Sequence, residues 1–123
     1  MRTPSYETLL KRFLAGVEKT KPMDYSDMKT VRANNRGVGQ YRKAATQIGE
    51  LYPERIDDFA SMLNSDDFIL KRCVAVCMVE LMPCSEKHRS QAFEFFIEHY
   101  NTETDDFEKA MIMMWLKKMK YKR

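Results

Sequence analysis

A chain of 123 residues with 44% hydrophobic content is the size of one domain and has enough apolar side chains for a continuous core. Four glycines and four prolines leave little turn chemistry for a β-sandwich or barrel, and no apolar run approaches the ~20 residues of a membrane span. The net charge of +3 is laid out unevenly: ten Lys/Arg face four Asp/Glu in residues 1–49, five face fourteen in 50–108, and six face none in 109–123. A nucleic-acid binder of this size usually carries positive charge along its central helices, so an acidic middle argues against that class. Met1 to Phe13 lacks the apolar run of a signal peptide, and three cysteines suit reduced thiols in a cytoplasm better than a disulfide framework.

Tyr6, Leu9, Leu10, Phe13, Leu14 and Val17 recur at helical spacing and predict a first helix, capped by Thr3, with Pro4 at its first position and Gly16 at its end. Glu18 to Met23 reads as a charged linker, and Asp24 or Ser26 opens a weaker helix carrying Met28 and Val31. Asn34 to Gly39 reads as a break. Residues 1–39 are therefore expected to be less regular than residues 40–120, within one domain spanning 1–123.

From Gln40 the stripes are cleaner. Tyr41, Ala44, Ala45, Ile48, Leu51 and Tyr52 make one inner face, and Ile56, Phe59, Ala60 and Leu63 make the next after Pro53. Residues 67–82 have no polar side over the two turns from Cys73 to Val79, which predicts a helix buried between neighbours. Ser85 caps a helix bearing Ala92, Phe93, Phe96, Ile97 and Tyr100, with Glu94 and Glu98 on its other side, and Asp105-x-x-Glu108 is a capping box for the last helix. Ala110 to Leu116 is apolar all round, where a terminal repeat should be polar outside. The N-terminal helix or the tail from Lys117 could cover it. Alternatively its Met and Trp residues form a partner or homodimer surface.

The chain also repeats itself. Arg42, Ala45, Glu50, Leu51 and Pro53 match Arg72, Ala75, Glu80, Leu81 and Pro83, and the turn Ser65-Asp66-Asp67-Phe68 matches Thr104-Asp105-Asp106-Phe107. Self-similarity of this period with helical units predicts an all-α HEAT/armadillo-like array of antiparallel helix pairs, with five to six helices. Cys73, Cys77, Cys84 and His88 have enough soft ligands for zinc. However, Cys73 and Cys77 lie on one apolar helix, so core thiols are the reading and neither a metal nor a cofactor is expected. No nucleophilic triad is suggested, and His88 and His99 read as rim residues. The paired acids open helices, where carboxylates are stabilising, but together they predict a negative surface that attracts a basic partner.

These motifs, Arg42-x-x-Ala45, Glu50-Leu51-x-Pro53 and Ser65-Asp66-Asp67-Phe68 leading into Lys71-Arg72-x-x-Ala75, resemble the HEAT-like repeats of small bacterial helical proteins. In length and layout the chain is similar to immunity proteins of contact-dependent and other polymorphic toxin systems. The resemblance implies a cytoplasmic protein without catalysis of its own. Such a protein binds a cognate toxin, often a basic nuclease such as an RNase, and covers its active site or substrate cleft. The partner-binding residues expected on that basis are Asp66, Asp67, Lys71, Glu80, Asp105, Asp106, Glu108 and Trp115. The alternatives are a HEAT-like nucleic-acid-binding protein gripping phosphate through the basic ends, and a homodimeric scaffold or adaptor built on the Met-Trp helix.

Overall fold

The computed structural model describes residues 3–21 and 26–120. Among them are six α-helices and no strand: α1 Tyr6–Thr20, α2 Met28–Leu51, α3 Ile56–Ala60, α4 Phe68–Leu81, α5 Glu86–Thr102 and α6 Asp106–Lys120. Short 3-10 turns, Pro53–Arg55 and Ser61–Asn64, flank α3. Packing follows chain order, with α1 on α2, α2 on α4, α4 on α5 and α5 on α6, so the helices form a layered all-α array.

The N-terminal third is more regular than its sequence reads. Ser5, not Thr3, caps α1, its extended backbone letting the hydroxyl accept from Thr8 N at 3.1 Å. α1 runs through Gly16 to Thr20, and α2 runs unbroken through Asn34 to Gly39 and across residue 40. Gly16 and Gly37 are buried where the two helices meet, and the absence of a Cβ on either lets the backbones come together. The polar residues of this stretch tie the pair: Asn34 Nδ2 donates to Thr20 O at 2.7 Å, and Gln40 Nε2 donates to Arg12 O at 2.9 Å. Asp27 caps α2 by accepting from Lys29 N. The alternative start at Asp24, and Pro22 of the expected linker, lie outside the described residues.

The core has two parts joined by α4. Leu9, Phe13, Ala45, Ile48, Phe59, Val74, Cys77 and Met78 fill the space between α1, α2, α3 and α4. Ala75, Val79, Ala92, Phe93, Phe96, Ile112 and Leu116 fill the space between α4, α5 and α6. Because α4 serves both sides, it has no polar face from Cys73 to Val79. Leu51 and Ile97, expected on inner stripes, are exposed. The two echoed segments are the C-terminal parts of α2 and α4, which pack together and are bridged by Arg42 Nη2 to Glu80 Oε1 at 3.1 Å. Pro53 opens the 3-10 turn at its first position, where a missing N–H leaves no bond unmade.

α6 buries Ile112, Leu116 and Met119 against the second core and leaves Phe107, Met111 and Met114 exposed. α1 packs on α2 and reaches α4. The expected tail beyond Lys120 lies outside the described residues.

Candidate functional site

The two matching acidic turns open α4 and α6. Asp67 caps α4, its Oδ1 accepting from Leu70 N at 3.1 Å, while its Oδ2 pairs with Lys21. The Lys21 hydrogen bond, then the Leu70 N–H, holds this carboxyl below the usual carboxylate range. Asp105 caps α6, accepting from Phe107 N at 2.9 Å. Phe68 sets its ring edge-on to His99 at 4.7 Å, and His99 shares a crevice with Glu108. The two helix N-termini therefore lie at the same end of the array, beside the C-terminal end of α5. Asp66, Asp105 and Asp106 are exposed there.

The crevice between α4 and α6, about 150 Å³, runs over Phe96 between Arg72 and Val76 on one side and Glu108, Met111 and Trp115 on the other. Trp115 closes it. Its indole packs at a tilt against Phe96 at 4.5 Å and Phe93 at 6.0 Å, and its Nε1 donates to Glu80 Oε2 at 2.8 Å. Glu80 thus joins α2, through Arg42, to α6. Asp67, Glu80 and Trp115 are each engaged inside the chain.

A larger groove, about 520 Å³ and open to solvent, lies on another face. One wall is residues 57–64; the other is a stripe of α5, Lys87, Gln91, Glu94 and Glu98, spaced so that helix periodicity sets them in one row. Leu63 and Phe95 contribute apolar surface to it, and Lys71, with its Nζ 5.9 Å from the Phe95 ring centroid, is the expected site residue that lines it. Asp57 on the first wall is 2.5 Å from His88 Nε2, and this bond lowers its pKa, while Ser85 Oγ is 3.0 Å from His88 Nδ1. The sequence reading placed Glu94 and Glu98 on the side of α5 away from the core. What it lacked was the facing wall, which forms only when α3 and its flanking turns fold against α4 and α5.

The thiols are core atoms. Cys73 and Cys77 are buried and burial pushes both pKa values up, while the half-buried Cys84 is raised to about 11 for the same reason. Such thiols stay protonated at neutral pH and are poor nucleophiles. Among the described residues no group of three or more His, Cys, Asp or Glu is placed to hold a metal ion. No helix among them is long and apolar enough to cross a membrane. No family model, curated protein or solved structure matches the chain.

Proposed function

We propose that the chain is a cytoplasmic protein-binding module that acts stoichiometrically, and that its partner is the basic toxin domain that the resemblance to immunity proteins implies. The observation that carries this reading is the row of Glu94 and Glu98 along an open groove with a polar rim and a partly apolar lining. A groove of this kind takes an inserted loop: apolar atoms at its base receive a side-chain stem, and carboxylates at its edge receive a Lys or Arg head. Lys71 and Lys87 line the same groove and repel a cation placed beside them, which directs an inserted Lys or Arg head to Glu94 and Glu98. Asp66, exposed two residues beyond Asn64 of the groove wall, adds a further negative charge in the turn that leads into α4.

The test is titration calorimetry against basic toxin domains, first among them any that the neighbouring gene encodes, with Glu94→Lys/Glu98→Lys beside the parent. The double variant should bind at least about tenfold more weakly, with a shallower salt dependence, and should protect toxin-expressing cells less well. Equal affinity and equal protection would remove the groove from the mechanism.

A second reading has one observation behind it. Lys29, Arg32, Arg36 and Lys43 form an exposed cationic row on α2, and residues 28–49 contain no acid. Such a row suits a phosphate backbone. Retarded migration of duplex DNA or RNA at physiological salt, lost in Arg32→Glu/Arg36→Glu, would favour that reading.

A further inference from the structure

α6 carries a ridge that the rest of the described chain leaves open. Phe107, Met111 and Met114 are 70%, 49% and 65% exposed, and the exposed Lys118 follows in the same row. Their spacing of four, three and four residues is that of a coiled-coil seam. The ridge is also charged in opposite senses at its two ends. Asp105, Asp106 and Glu108 stand at its start, and Lys117 and Lys118 stand in the last turns.

We propose that two copies of this chain pair through α6, antiparallel, about a two-fold axis. The ridge is self-complementary in that arrangement and in no parallel one. With the axis between Met111 and Met114, Met111 meets the partner's Met114 twice over, and Phe107 meets the partner's Lys118 at each end. Methionine adapts to an imperfect seam, and a lysine over a phenyl face adds a cation–π contact. The flanks agree as well. Helix periodicity sets Asp106 and Lys117 on the same side of the ridge, about three turns apart. A two-fold axis perpendicular to the helix and lying in the interface keeps each flank facing its own kind, so Asp106 meets the partner's Lys117. A parallel pair would set acids beside acids and lysines beside lysines, which is repulsive. Trp115 takes no leading part, since its ring is packed against Phe96 and its N–H is bound to Glu80.

A single helix seam is smaller than a standard stable interface, so the dimer is expected to dissociate in the micromolar range. Sedimentation equilibrium over a wide concentration range should show the mass rising from one to two chains, with weaker association at high salt. Met111→Glu/Met114→Glu should be monomeric throughout, with unchanged helicity by circular dichroism because both side chains are exposed. The discriminating pair is Asp106→Lys and Lys117→Glu/Lys118→Glu. Each alone should self-associate more weakly than the parent, and an equimolar mixture should recover association, because only the mixed pair sets opposite charges together at both ends. A constant one-chain mass at all concentrations, a mixture no tighter than its components, or a dimer that survives Met111→Glu/Met114→Glu would each overturn the proposal. Glu94→Lys/Glu98→Lys should leave the mass unchanged, which separates this surface from the groove.

Discussion

Gly16 and Gly37 face each other where α1 meets α2: a Cβ built on Gly16 would come within 2.9 Å of Gly37 O, and one on Gly37 within 2.6 Å of Gly16 O. Gly16 also has Tyr41 N only 2.7 Å from that added atom. These obstacles are backbone, so relief requires the helices to move apart, with loss of contact at Phe13 and Val17 nearby.

Gly16→Ala and Gly37→Ala should therefore each destabilise the chain by about 1–3 kcal/mol, as overpacking does. Gly39 is the control. It lies in the same helix two residues on, a Cβ there meets nothing within 4 Å, and Gly39→Ala should stabilise by about 0.5–1 kcal/mol through helix propensity. Urea unfolding of the three variants checks the order. If Gly16→Ala is as stable as Gly39→Ala, the close approach of the helices is wrong.

The same pair of glycines shows where sequence reading runs out. Two Asn and two Gly in the six residues from Asn34 to Gly39 are turn formers by local preference, and nothing local reveals that Asn34 ties to Thr20 and Gln40 to Arg12 across the helix pair. By contrast α4, α5 and α6 were legible from apolar spacing, and Ser85 and Asp105 from capping chemistry. α4 was readable as buried because a helix serving two cores must lose its polar face. The site was half legible: the acids of α5 are visible as a polar row, but their facing wall comes from a segment broken into 3-10 and α turns. Glu80 and Trp115 lie 35 residues apart, and no periodicity within either helix foretells their hydrogen bond.

That hydrogen bond gives a second prediction. Trp115→Phe keeps an aromatic ring beside Phe96 but removes the donor to Glu80, and should cost about 0.5–1.5 kcal/mol. In a double-mutant cycle with Glu80→Ala the two losses should be less than additive, because one shared bond is removed by either change. Fully additive losses by circular dichroism would mean that the bond does not form in solution.

A third concerns alkaline pH. Burial raises the thiol pKa values of Cys73, Cys77 and Cys84, the last to about 11, and also raises the Tyr41 hydroxyl. The folded chain thus holds protons that the unfolded chain releases from about pH 8.5 upward. Bound protons are then fewer in the unfolded state, and stability falls as pH rises. The melting temperature should be flat near neutrality and decline above about pH 9, and native thiols should react slowly with disulfide reagents, Cys84 first and Cys77 last. Rapid labelling of all three in the native state would contradict the burial.

A fourth separates structure from binding within one acidic turn. Asp66 and Asp67 are neighbours of the same charge, yet Asp66 is exposed while Asp67 caps α4 and pairs with Lys21. Asp67→Ala should cost about 0.5–2 kcal/mol through loss of the cap, and Asp67→Asn should retain most of it, because an amide oxygen still accepts from Leu70 N. The parent's margin over Asp67→Asn depends on the carboxylate charge. The folded pKa is lowered, so the unfolded state binds more protons in acid, and the contribution is present above about pH 4 and lost as pH falls through the folded value. Asp66→Ala should leave stability at neutral pH unchanged and act only on association with a basic partner, slowing it at low salt and scarcely at high salt. Stopped-flow association and urea unfolding on the same two variants decide the matter. If Asp66→Ala unfolds early, or Asp67→Asn melts like the parent at neutral pH and slows association as Asp66→Ala does, the division of roles within the turn fails.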